Sequence, residues 1–320
     1  MSLEESEAER WRSDRVFHLR RGWGGKGTSH LPICRGYKMN QKTSFRFKSY
    51  RNLKNNLGKF DAIVEYNELA VREFFACANG YENPNKYISL LSERHHIRVN
   101  AVDLSAMPRR IAQFYILSVY QQAEEFLENF RREYKEFVQK EWTDEEKDSL
   151  LEKILKNIGT IFVENRSAIG DLRIEIFEYY RLVRNQFMHT EIKGERLNKC
   201  LEKLKKYSEQ INADYKINQA PNNYNEMSFE DFILFSRVTK DIAFELCQIG
   251  RPSDEELVHR IQRLDQEKSS GVNLSNFKKL KNNRTRLENA LYNLLKEQYA
   301  LVDKSEAEPI VKRLITGPLA

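Results

Sequence analysis

One uninterrupted run, "RRIAQFYILSVYQQAEEFLENFRREYKEFVQK" (residues 109–140), contains neither glycine nor proline. It mixes large apolar side chains with charges at helical spacing, so it predicts one long amphipathic helix. Ile111, Phe114, Ser118, Phe126, Phe130, Tyr134 and Phe137 are assigned to its inner face, and Pro108 suits its first turn. With 31% charged residues and little Gly or Pro in the middle of the chain, helices are favoured over strands throughout. The fold class is therefore predicted as all-α. Short connections make the neighbours antiparallel, giving an up-and-down helical bundle with additional helices at the C-terminal end.

Residues 1–45 show no apolar periodicity and include "RRGWGGKGTSH", which reads as a disordered basic arm. "GWGGKGTS" resembles a phosphate loop in composition only, because Lys26 is followed by Gly27 and no apolar strand precedes it. A helical period is read from about Phe60, with Ile63, Val64, Leu69 and Phe74 in a first amphipathic segment and an end near Ala78-Asn79-Gly80. Thr143 with Glu146 suggests a capping box, Gly159 a helix end, and Asp171 the cap of "LRIEIFEYYRLVRNQFMH". The asparagine-rich "NADYKINQAPNNYNEMS" reads as a linker, followed by helices ending in one long segment from about Ser275 to Leu301. These divisions give an arm over 1–45, a bundle over 55–218 and a C-terminal helical region over 225–320.

The net charge of +6 is local. Residues 10–54 carry thirteen Lys and Arg against the single acid Asp14, whereas the rest of the chain is slightly acidic. Nucleic-acid binding by the folded body therefore does not follow from bulk charge. Four dispersed cysteines at Cys34, Cys77, Cys200 and Cys247 fit inert thiols in a reducing cytoplasm. No apolar run is long enough to span a membrane, and the first residues lack the apolar core of a secretory signal. Spacings for a metal site, paired catalytic carboxylates or a nucleophile elbow are missing, so neither metal nor cofactor is expected.

The chemistry concentrates in "RLVRNQFMHT", residues 181–190. On an ideal helix Ile176, Tyr180, Val183 and Phe187 form the buried stripe, and Arg184 lies at its edge. Asn185 and His189, four apart, share a face, while Arg184 and His189 diverge by about 140°. Two geometries remove that divergence: the helix unwinds just before His189, or a second protomer supplies the missing partner across a two-fold axis. A structural role for the pair is the alternative, with Arg184 stacked on Tyr180 or paired with Glu178 or Glu191 and His189 capping the helix.

"RNQFMH", Arg184-Asn185-x-x-x-His189, resembles the Arg-polar-x-x-x-His motif of the HEPN superfamily (higher eukaryotes and prokaryotes nucleotide-binding domain), and it lies on a helix of a helical bundle as in that family. The likeness spans about residues 105–215. Many HEPN proteins are dimeric, metal-independent endoribonucleases of toxin–antitoxin and antiphage systems. The resemblance implies Arg184 and His189 as the catalytic pair, Asn185 as their assistant and RNA as substrate. By position Arg181, Tyr180 and Thr190 are candidate contacts to substrate phosphate. The other class of function is a non-catalytic HEPN-like RNA-binding or dimerisation module, with an antitoxin or ATPase partner performing the chemistry.

Overall fold

The structure is a computed structural model in which residues 43–100, 104–143, 145–189, 194–267 and 272–318 are described. Among the described residues every regular element is a helix, and no helix is long and apolar enough to cross a membrane. Two helices of equal length form the spine: α1 (Lys48–Asn79) and, after the short α2 (Pro84–His95), α3 (Met107–Val138). α1 starts well before Phe60 because Leu57, Val64, Val71 and Ala78 recur every seven residues, and that stripe packs along α3. Its first turn is capped from outside, the Glu133 carboxylate accepting the Lys48 and Ser49 N–H groups at 2.8 and 2.9 Å. Of the apolar residues that marked this segment, Val64 is buried and Ile63 and Leu69 are exposed.

The arm expected over residues 1–45 falls outside the described residues up to residue 42, but its last residues belong to the core. Phe45 and Phe47 are fully buried, edge to face at 4.8 Å, and Phe45 stacks on Tyr299 at 5.7 Å. Two phenylalanines separated by one residue give no helical period, so their burial was invisible to a search for one.

α3 buries Ala112, Ile116, Val119, Ala123, Phe126, Phe130, Tyr134 and Phe137, a seam of threes and fours. Phe114 lies about 160° from Ile116 on such a helix and is exposed, correcting its place on the inner face. α4 (Leu150–Asn157) is opened by a capping box of Ser149 and Glu152. Thr143 instead binds the Asn157 side chain, its N–H donating to Oδ1 at 2.8 Å. α5 (Phe162–Ile169) and α6 (Asp171–Met188) meet at Gly170, whose φ of 94° makes the corner a position for glycine. Asp171 is thus the first residue of α6 and pairs with Arg166 at 2.6 Å.

α7 (Glu195–Lys205) returns along α6, and α8 (Ser208–Tyr215) leads into the linker. α9 (Phe229–Ile249) follows and packs against α1, α3, α5 and α6. The described residues therefore form one unit around one apolar core, and the segment beyond 225 contributes its central helix. α10 (Asp254–Gln266), α11 (Leu274–Lys278), α12 (Arg284–Tyr299) and α13 (Lys304–Thr316) complete the chain. The long helix expected over 275–301 is divided because Asn283 caps α12, accepting the Arg286 N–H at 3.0 Å.

Candidate functional site

α6 carries the motif from Arg184 to Met188 and ends just before its histidine. Met188 is its last residue, and His189 leaves with extended backbone (φ −131°, ψ 93°) while its N–H still closes the final turn onto the Asn185 carbonyl at 2.9 Å. The chain thus departs from the helix at His189, as in the first of the two geometries, but the departure does not carry the ring to Arg184. The His189 ring is exposed, and among the described residues nothing hydrogen-bonds to it. Thr190 lies outside the described residues.

Arg184 is half-buried and held from two sides. Its guanidinium lies over the Tyr120 ring of α3, 5.4 Å from the centroid, and donates to Asn185 Oδ1 at 3.1 Å. The aromatic partner is Tyr120 rather than Tyr180, which the sequence offered as the nearest ring. Burial and Glu124 push the Tyr120 phenol upward, while Arg181 and Arg184 pull it down, so at neutral pH the ring is a neutral platform for the cation. Arg184 and Asn185 are therefore in contact; among the described residues no contact joins Arg184 to His189. One turn on, Phe187 packs edge to face with Phe114 at 5.5 Å, which covers part of that outward ring.

Arg181 and Tyr180 do not face solvent with their polar groups free. Arg181 binds the Glu178 carboxylate through two N–H groups at 2.6 Å each, and Glu178 also holds Arg196 at 2.8 Å. Tyr180 is fully buried, and its hydroxyl donates to Asp231 at 2.9 Å. A fully buried phenol already donating to a carboxylate cannot reach a substrate phosphate. Its expected contact is replaced by a structural one.

Asp231 collects a dense set of donors. The Asn222 N–H (2.9 Å), the Asn222 side-chain amide (2.8 Å), the Ser228 N–H (2.9 Å) and the Ser228 hydroxyl (3.2 Å) join Tyr180 on its two oxygens. Burial raises the Asp231 carboxyl above its ordinary range, and these hydrogen bonds act the other way. Neighbouring Tyr179 donates to the Asn222 carbonyl. Two adjacent tyrosines of the motif helix thereby fasten the linker to the bundle. The spacing Ser228 to Asp231, a capping box, was the readable trace of this node.

The remaining chemistry is quiet. Burial pushes the Cys200 thiol up to about 11 and Cys247 up to about 12, far from a reactive thiolate. Among the described residues no group of three or more His, Cys, Asp or Glu side chains is placed to hold a metal ion. Sequence reasoning missed Tyr120 as the platform for Arg184, since only the packing of α3 on α6 brings them together. Compared with family models, with curated proteins and with solved structures, the chain finds no match.

Proposed function

We propose that the protein is a metal-independent endoribonuclease of the HEPN type, with the end of α6 as its catalytic edge. The observation that carries this reading is the break at His189: an exposed imidazole leaves the helix one turn beyond the Arg184–Asn185 pair. A histidine in that position can accept the proton of a ribose 2′-hydroxyl as it attacks the adjacent phosphorus, and can return a proton to the departing 5′-oxygen. The P–O5′ bond breaks, leaving a 2′,3′-cyclic phosphate and a 5′-hydroxyl. Arg184 is the group for the phosphate oxygens, and Asn185 restrains its guanidinium.

A second copy of the chain belongs to this proposal, since Arg184 and His189 of one chain do not touch and a two-fold pairing of the "RNQFMH" segments would complete the site. The resemblance further suggests a toxin or antiphage effector acting in the cytoplasm. The deciding experiment compares RNA cleavage by the parent and by His189→Ala, in excess EDTA, on a substrate with ribose or 2′-deoxyribose at the scissile position. Cleavage that survives the histidine change, requires magnesium, or leaves a 3′-hydroxyl sinks the reading.

The non-catalytic alternative has one observation of its own. Stacked on Tyr120 and bonded to Asn185, Arg184 is already engaged in the fold. A protein that binds RNA through this edge but never cleaves it, alone or as a dimer, would be that module.

A further inference from the structure

α7 presents a row of cations on the side away from its core. Arg196, Lys199 and Lys203 on α7 and Lys206, which follows its last residue with helical backbone (φ −67°, ψ −18°), are spaced three, four and three residues apart, within an arc of about 80° on a helix. Leu197, Cys200, Leu201 and Leu204 form the buried face of the same helix. The helical rise separates successive cations by about 4.5–6 Å, and the row extends for about 15 Å.

Four acids of neighbouring elements face this row, and each is already engaged. Glu178 is held by Arg181 and Arg196, and Asp171 by Arg166 at 2.6 Å. Glu175 lies 3.8 Å from Arg166, and Glu152 accepts the Ser149 N–H and hydroxyl in its capping box. Along α7 itself Glu202 pairs with Lys205, which projects from another side, and Glu195 stands exposed at the start. Lys199, Lys203 and Lys206 are exposed and form no ion pair among the described residues. Their charges remain available to an anion.

Two adjoining grooves run beside the row, of about 390 and 370 Å³, and Arg166, Glu175 and Lys203 line both. Tyr207, 51% exposed and next to Lys206 in the chain, lines the second groove with it. A line of cations ending in an exposed aromatic ring is the combination that binds single-stranded nucleic acid: the cations follow the phosphates, and the ring stacks on a base. A duplex reader needs more, because double-stranded RNA is recognised across two minor grooves over about 16 base pairs.

We propose that the Arg196–Lys199–Lys203–Lys206 face of α7, with Tyr207 at its end, is the docking track for a few nucleotides of single-stranded RNA. The choice of RNA among polyanions rests on the reading of the α6 edge as a ribonuclease site; the track itself rests on the charge row and the ring.

The test uses the full chain carrying His189→Ala, so that substrate survives, and follows a fluorescein-labelled single-stranded RNA by anisotropy. Adding Lys199→Gln, Lys203→Gln and Lys206→Gln together should weaken binding at least tenfold and make the dependence of log affinity on log salt shallower by about 2. Tyr207→Ala should cost a further factor of about ten. Lys205→Gln, off the face, should bind as the parent, and Lys203→Glu alone serves if the triple variant folds poorly by circular dichroism. Equal binding by parent and track variants overturns the track, as does preference for duplex RNA. Capture of anionic phospholipid vesicles with no affinity for RNA does the same. Cleavage of RNA by a protein whose binding ignores these lysines removes the track and leaves the nuclease. Binding through the track without any cleavage by the chain with His189 intact removes the nuclease and leaves the track.

Discussion

Within α6, two clusters of polar side chains lie one turn apart and meet opposite fates. Tyr179 and Tyr180 are buried, and both hydroxyls are spent on the linker, through the Asn222 carbonyl and the Asp231 carboxylate. Arg184, Asn185 and His189 sit toward the open end, where the arginine is held by a ring and a neighbour and the histidine is exposed. The difference follows from burial. A polar group removed from water must find a protein partner, and once it has one it is part of the scaffold. A group left at a helix end keeps its capacity for a ligand. One helix thus does structural work in its middle and offers chemistry at its tip.

The comparison breaks most visibly at His189. On the proposed reading, His189→Ala should slow RNA cleavage by about 10²–10⁴-fold, the usual contribution of a general acid–base. The melting temperature should stay within the error of the measurement, since an exposed side chain beyond the last turn supports no packing. A variant that melts markedly lower and cleaves as fast would assign His189 to the scaffold instead.

Asp231→Ala should show the reverse pattern. Five donated hydrogen bonds lose their acceptor inside the protein, so the unfolding free energy from urea titration should fall by on the order of 3–5 kcal/mol. Any RNA affinity should persist at temperatures where the variant remains folded. A loss below about 1 kcal/mol would mean that water replaces the carboxylate and the linker is not fastened there.

The outcome for α6 also marks what its sequence could disclose. The helix and three of the four residues of its buried stripe, Ile176, Tyr180 and Val183, were legible because a period of 3.6 residues is a property of a single helix, whereas Phe187 is only half-buried and a break next to His189 was one of two alternatives that the 140° divergence left open. The partners were not. Tyr120 lies 64 positions before Arg184, and no local rule singles it out from the other aromatic residues of α3. Likewise the cap on the first turn of α1 comes from Glu133 of α3, 84 positions beyond Ser49. The cation row of α7 was readable by spacing alone, but the partners of the facing acids, Arg166 for Asp171 and Arg181 with Arg196 for Glu178, were not.

Tyr180→Phe removes one donor and keeps the ring that packs on Phe235 at 4.8 Å. Asp231 retains four donors, so the expected loss is about 1 kcal/mol, read from the shift of the urea midpoint at constant slope. A much larger loss would make the tyrosine the main anchor of the linker, and none at all would leave that role to Tyr179.

The smallest expected effect lies where the two halves touch, at the stack of Arg184 on Tyr120. Replacing the ring with Tyr120→Leu keeps most of the apolar contact and deletes the aromatic face, so stability should drop by about 0.5–1 kcal/mol through the lost cation–π attraction. Combined with Arg184→Ala in a double-mutant cycle, the coupling energy should be of the same size, because the two side chains act on each other directly. Cleavage rates of the same four proteins then separate the two accounts of the arginine. If Arg184 serves the phosphate, Arg184→Ala loses cleavage whether or not Tyr120 is present, and Tyr120→Leu alone costs little, since Asn185 still restrains the guanidinium at 3.1 Å. If the arginine only braces α6 against α3, both single changes lower the melting temperature together and leave cleavage where it was. The boundary between scaffold and site then moves one turn toward His189.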